Sequence, residues 1–131
     1  MKRPKIVVLC GSSRFCDVMA VCAWIIEREE KAITMGLHLL PYWYTQVDSH
    51  LAEHEDVADA MGELHLRKID LADEIFVVNR KDYIGESTGK EIEYAKDHNK
   101  KIRWYTHDSV GLLVEKIVQG VIDKPPKGGD E

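Results

Sequence analysis

No apolar run in this chain approaches the roughly 20 residues that a membrane-spanning helix needs, so the sequence predicts a protein without a membrane partner. Signal-peptide features are missing too. Met1-Lys2-Arg3-Pro4 leads straight into a short strand-like run with no small-residue cleavage site after it, which predicts a cytoplasmic protein. Cysteine is scarce, at positions 10, 16 and 22 only. The odd count and wide spacing exclude a disulfide framework and a C-x-x-C metal or redox site, and the three read as reduced, small apolar residues. There is no basic stripe, and the formal net charge is −5, which excludes a nucleic-acid polymer as partner. A mononucleotide is a different case, because a few local donors can hold one phosphate against an acidic background.

What is present suits one domain. The chain has 131 residues, 44% hydrophobic and 31% charged, enough for a single core and too few for two. Residues 5–10 form a continuous apolar run, as in a strand buried on both faces. Apolar residues from Phe15 to Ile33 then recur at helical steps, with Gly36 as the stop, and residues 37–40 read as a second strand broken by Pro41. Residues 42–55 form a long irregular loop of the kind that often serves as a lid or binding segment. A helix over 56–72, a buried strand over 74–78, a loop over 79–85, a helix over 88–98, a strand over 101–105 and a helix over 110–121 follow. Residues 1–123 thus form the domain, and residues 124–131, with two prolines and two glycines, a frayed tail. The alternation predicts an α/β fold: a doubly wound, flavodoxin-like, mainly parallel sheet of four to five strands with helices on both faces. Ligands in such folds bind beyond the carboxyl ends of the strands, which singles out residues 11–14, 41–54 and 79–88.

Each of these loops carries usable chemistry. Gly11-Ser12-Ser13-Arg14 offers a tight turn, two hydroxyls and a guanidinium for a phosphate or sugar, although Ser12 or Ser13 could equally cap the next helix. The middle loop carries Tyr42, Trp43 and Tyr44, rings able to stack on a base or to pack on the core. The third gathers Gly85, Glu86, Ser87 and Thr88 ahead of Glu91. Thr88-x-x-Glu91 has capping-box spacing, in which Glu91 would bond back to the Thr88 N–H. His50-x-x-x-His54 has helical metal spacing but lacks the H-E-x-x-H order, and reads as a solvated segment; neither a metal nor a cofactor is expected. His65, one turn beyond Met61 and one before Ile69, reads by itself as a packing or helix-surface residue.

Two blocks carry a family likeness. Val7-Val8-Leu9-Cys10-Gly11-Ser12-Ser13-Arg14, and Ile69 to Val78 followed by Gly89-Lys90-Glu91-Ile92-Glu93-Tyr94-Ala95, resemble the nucleoside 2-deoxyribosyltransferase superfamily, which includes the deoxynucleoside 5′-monophosphate N-glycosidases. The resemblance spans roughly residues 5–105. It implies cleavage of a base–sugar bond in a nucleoside or nucleoside 5′-monophosphate, with Glu91 as the nucleophile; His65 is read beside it as a candidate proton donor. Gly11, Ser12, Ser13, Arg14, Ser87 and Thr88 would bind sugar or phosphate, with Tyr42, Trp43, Gly85 and Glu86 also lining the substrate. It also implies a homo-oligomer, a dimer or larger. Hydrolysis, base exchange and nucleotide binding without cleavage all remain open. The family's strand-one tyrosine falls on Val8 and its aspartate before strand three on His65. The position ahead of the nucleophile falls near Gly85. His65, Glu86 and Asp70 are the groups available to substitute.

Overall fold

The computed structural model describes residues 2–41, 43–44 and 56–121. Tyr42, His50, His54 and the tail from Lys124 lie outside the described residues, and with them the metal-spaced histidine pair. Strand β1 (Ile6–Gly11) is followed by a short 3-10 turn (Ser13–Phe15) and helix α1 (Cys16–Glu30). Then come β2 (Ile33–Met35), α2 (Ala58–Leu71), β3 (Glu74–Val78), α3 (Glu86–Asp97), β4 (Lys101–Trp104) and α4 (Ser109–Val121). The four strands are all parallel, in the order β2-β1-β3-β4, which is a doubly wound, flavodoxin-like α/β arrangement. No helix among the described residues is long and apolar enough to cross a membrane.

The alternation of side chains along β1 divides the core. Val7 and Leu9 pack with Val18, Met19, Cys22 and Ile26 of α1 and with Val110, Val114 and Val118 of α4. Val8 and Cys10 face the other way, onto Ile69 of α2 and Ile92 and Ala95 of α3. A strand buried on both faces must be apolar at every position, which is why β1 and β3 read as continuous runs rather than alternating ones.

The second strand is a correction. It lies at Ile33–Met35 rather than over 37–40, and α1 does not run to Gly36. The helix ends at Lys31, which takes the left-handed conformation (φ 55°) and donates its N–H to the Glu27 carbonyl at 3.0 Å. The Glu27 carboxylate then accepts from the Thr34 N–H at 3.0 Å and the Thr34 hydroxyl at 2.6 Å. This latch turns the chain into register with β1, pairing Ile6 with Ile33 and Val8 with Met35. Leu39 and Leu40, expected in the strand, are exposed.

One glycine carries the close approach of α4 to the sheet. A Cβ at Gly111 would lie 1.9 Å from the carbonyl oxygen of Tyr105, a backbone atom that cannot swing aside. Gly111→Ala is therefore expected to displace α4 and cost about 3 kcal/mol, read as a lower urea midpoint, whereas Gly120→Ala, which meets nothing, leaves it unchanged or slightly raised.

Candidate active site

The order β2-β1-β3-β4 reverses direction between β1 and β3, so the crevice beyond their carboxyl ends is where such a sheet accepts a ligand. Three side chains from three elements meet beside it. Cys10 is the last inward-facing residue of β1, paired with Val77 of β3. His65 projects from the middle of α2, and Glu91 from the second turn of α3. The Cys10 Sγ lies 3.4 Å from the His65 Nε2, and the same nitrogen lies 3.5 Å from the Glu91 Oε1. The side chain of His65 is 4% exposed and that of Glu91 13%.

Helix α3 explains how Glu91 arrives there. It starts at Glu86, two residues earlier than the apolar spacing predicts, with Gly85 as a cap residue that makes no side-chain hydrogen bond. Thr88 consequently falls inside the first turn and is buried, not at the capping position. The capping box is thus not formed. Glu91 shares the inward side of α3 with Thr88, Ile92 and Ala95, and its carboxyl group is directed at Cys10 and His65 instead.

Burial dominates the electrostatics. Loss of hydration raises the Glu91 carboxyl to a pKa of about 7, against a smaller opposing effect from its hydrogen bond with Cys10. Burial, reinforced by the charge of Lys68, pushes His65 down to about 4. The Cys10 thiol is driven well above its ordinary value by burial first, then by the Glu91 charge and hydrogen bond. At neutral pH the imidazole is therefore uncharged, the thiol is protonated, and Glu91 is divided between its two forms. The His65–Glu91 contact is not an ion pair under these conditions.

A cavity of about 790 Å³ opens next to the triad, within the range of roughly 300–1,000 Å³ typical of small-molecule sites. Its walls include Ser13, Leu40, Trp43, Met61 and Leu64, and the His65 ring is shared between this cavity and Glu91. Charged groups on its wall are cationic only, Arg67 and Lys68, among the described residues. Arg67 is neutralised by Glu63 and Asp70, whereas Lys68 donates to the Gly36 carbonyl at 2.7 Å and meets no carboxylate among the described residues.

The remaining sequence-derived candidates divide. Ser13 and Trp43 line the cavity. Ser12 does not face it; its hydroxyl accepts from the Arg14 N–H at 3.2 Å and caps the short turn. The Arg14 guanidinium stands 3.9 Å over the Tyr83 ring, which also meets Phe15 edge-on, so the first and third loops are tied together. Gly11 packs against Val78, where a Cβ would lie 3.2 Å from its carbonyl. Glu86 and Ser87 are exposed and Gly85 is half-buried, and the third loop does not line the cavity. Of the three groups available to assist Glu91, Asp70 is engaged with Tyr94 and Arg67, and Glu86 points to solvent; only His65 reaches it. Asp73 lies at the opposite, amino edge of the sheet, where it accepts from the Ile6 N–H at 2.8 Å and pairs with Arg3.

Cys10 is the site residue that sequence reasoning missed, because its count and spacing spoke only against disulfides and clusters. The signal was the strand period: Cys10 shares a face with Val8 and stands one step nearer the ligand edge. The chain matches no protein-family model, no curated protein and no solved structure, so its function is argued from Cys10, His65, Glu91 and the cavity beside them.

Proposed function

We propose that this protein is an N-glycosidase that cleaves the base–sugar bond of a nucleoside 5′-monophosphate, with Glu91 as nucleophile. The observation that carries the reading is a largely buried carboxyl group at the carboxyl edge of a parallel sheet, sharing one histidine with the wall of a nucleoside-sized cavity. The family resemblance, with its implied homo-oligomer, points the same way. A Glu91 oxygen forms a bond to the anomeric carbon as the carbon–nitrogen bond breaks, and the bonding pair leaves with the base, which takes up a proton. Water then adds to the same carbon, the glycosyl ester opens, Glu91 regains its carboxylate and the proton from water balances the one taken by the base. A carboxylate under the sugar suits the oxocarbenium character of both transition states. His65 is neutral down to about pH 4, which fits a residue that positions Glu91 better than one that delivers a proton.

The cationic wall favours a phosphorylated substrate, and Trp43 offers a ring for the base. Chromatography of free base released from a panel of nucleosides and their monophosphates tests the reading; no base from any member overturns it. Lys68→Met is expected to raise KM for the monophosphate about tenfold or more while leaving the nucleoside unaffected, because one charge-assisted phosphate contact is lost. Adding a second free base to the assay separates hydrolysis from base exchange. Nucleotide binding without cleavage is the second reading. It is favoured by the single carboxyl group at the site among the described residues, where glycosidases ordinarily employ two, and would show as a thermal shift with monophosphate and no product.

A further inference from the structure

We infer that Cys10, His65 and Glu91 form a binding site for one zinc-class divalent cation, three protein ligands with a further position left to solvent. A thiol sulfur, an imidazole nitrogen and a carboxylate oxygen, each from a different element, lie within 4.8 Å of one another. Zinc bonds of about 2.3 Å to sulfur and about 2.0–2.1 Å to nitrogen or oxygen give a tetrahedron whose ligand–ligand edges are about 3.3–3.6 Å. The two measured edges, 3.4 Å from Cys10 to His65 and 3.5 Å from His65 to Glu91, fall in that interval. Both converge on one atom, Nε2, and the 3.5 Å contact is longer than the roughly 2.7–3.2 Å of a well-formed nitrogen–oxygen hydrogen bond. The Cys10 thiol contacts both His65 and Glu91, so on binding it exchanges its proton for the cation, and the three donor atoms already lie close enough for one ion to bridge them.

The donor set selects the metal. Sulfur with imidazole favours zinc over magnesium or calcium, which take oxygen ligands in larger number. Three protein ligands are the pattern of an open site rather than a closed structural one. The ligands sit on a strand end and two helices, so little has to be ordered on binding, and the partly exposed Glu91 gives the ion a way in. The spacing in sequence, 55 residues and then 26, has no motif, which is why such a site escapes a search for paired cysteines or histidines.

Occupancy would also bear on the proposed reaction. An oxygen of Glu91 bound to zinc cannot attack a sugar, so the loaded form is a silenced glycosidase and zinc an inhibitor that competes for the nucleophile itself. The cation site does not depend on that chemistry and is tested separately. The full chain, freed of metal by a chelator, is titrated with cobalt(II) while the near-ultraviolet thiolate-to-cobalt charge-transfer absorption is followed, and zinc then displaces the cobalt. The expected result is one cobalt per chain with a thiolate band. The band should be absent in Cys10→Ser, and affinity should fall roughly tenfold or more in His65→Gln and in Glu91→Gln. The His50→Ala/His54→Ala double variant should bind as the parent does. A parent protein that shows no thiolate band at one equivalent overturns the inference without recourse to any variant. So does a band that persists in Cys10→Ser, or binding that disappears with His50 and His54. If base is released by the metal-free protein, one equivalent of zinc should stop it and chelator restore it. If no base is released at all, the glycosidase reading fails while the cobalt titration still decides the site.

Discussion

Glu91→Gln is expected to abolish base release and, in the same protein, to raise stability above pH 7. The first effect follows from the loss of the nucleophile. The amide keeps the shape of the side chain and an oxygen to accept from the Cys10 thiol, but it cannot form or release a glycosyl ester. A fall of about a thousandfold or more in kcat/KM corresponds to about 4 kcal/mol of lost transition-state stabilisation, and monophosphate binding should survive it. The second effect follows from the raised carboxyl. Glu91 holds its proton to a pKa of about 7 in the folded protein, against an ordinary 4.5. Below about pH 4.5 both states are protonated and the group is neutral in the balance. As pH rises toward 7 the unfolded chain ionises while the folded one does not, so stability declines, levelling off above about pH 7 at a loss of roughly 3 kcal/mol. Glutamine carries no such dependence. Urea unfolding of the metal-free proteins should therefore find parent and variant alike at pH 4, with the variant ahead by about 3 kcal/mol at pH 8. Equal stabilities at pH 8 would mean that the carboxyl group is not desolvated, and unchanged base release would remove Glu91 from the chemistry.

How far the site could be read in advance depended on what kind of pattern each residue belonged to. Strands β1 and β3 were legible because a strand buried on both faces leaves an uninterrupted apolar run. Strand β2 was not, because Ile33 continues the apolar spacing of α1, and what ends the helix is a lysine in the left-handed conformation together with the Glu27–Thr34 latch, neither of which has a composition signature. Glu91 was ambiguous for a local reason: two residues of helix start decide whether Thr88 is a cap or an interior residue, and boundaries of that size are the least legible feature of a sequence. His65 looked like packing and is packing, 4% exposed, but packing against the two other polar groups of the site. Asp73, part of the block that carries the family likeness, turns out to hold β1 to β3 at the edge remote from the cavity.

Arg103→Met is expected to be the most destabilising single change on the side of the sheet away from the triad, costing about 3–5 kcal/mol, a large part of the roughly 5–15 kcal/mol that holds a domain folded. Arg103 lies on β4 with its side chain 9% exposed, and its guanidinium stands over the Phe76 ring. All five of its N–H donors are used. Nε and Nη2 reach Asp108 at 2.9 and 3.2 Å, Nη1 and Nη2 reach Glu30 at 3.0 and 2.7 Å, and Nη1 reaches Glu74 at 2.9 Å. Lys5 adds a weaker cation, 3.2 Å from both Glu30 and Glu74. Methionine fills the volume of the stem but leaves Glu30 and the buried Glu74 facing one lysine, and Asp108 without its guanidinium partner. Arg103→Lys should fall between, since it restores the charge without the fork. The pH dependence supplies the sign. The Arg103 hydrogen bond, with help from Lys5, holds Glu30 below its ordinary 4.5 despite partial burial. Burial would raise Asp108, but the Arg103 and Val110 hydrogen bonds and nearby positive charge outweigh it and hold it below 3.8. Groups lowered in this way contribute their stability above the ordinary carboxylate values and lose it as pH falls through the lowered ones. The parent should thus lose stability as pH falls below the ordinary carboxylate values, while Arg103→Met, already deprived of the bonds that lower these carboxyls, should show a flatter acid limb. A variant as stable as the parent at pH 7, or as steep in acid, would show that the cluster contributes nothing beyond filling space.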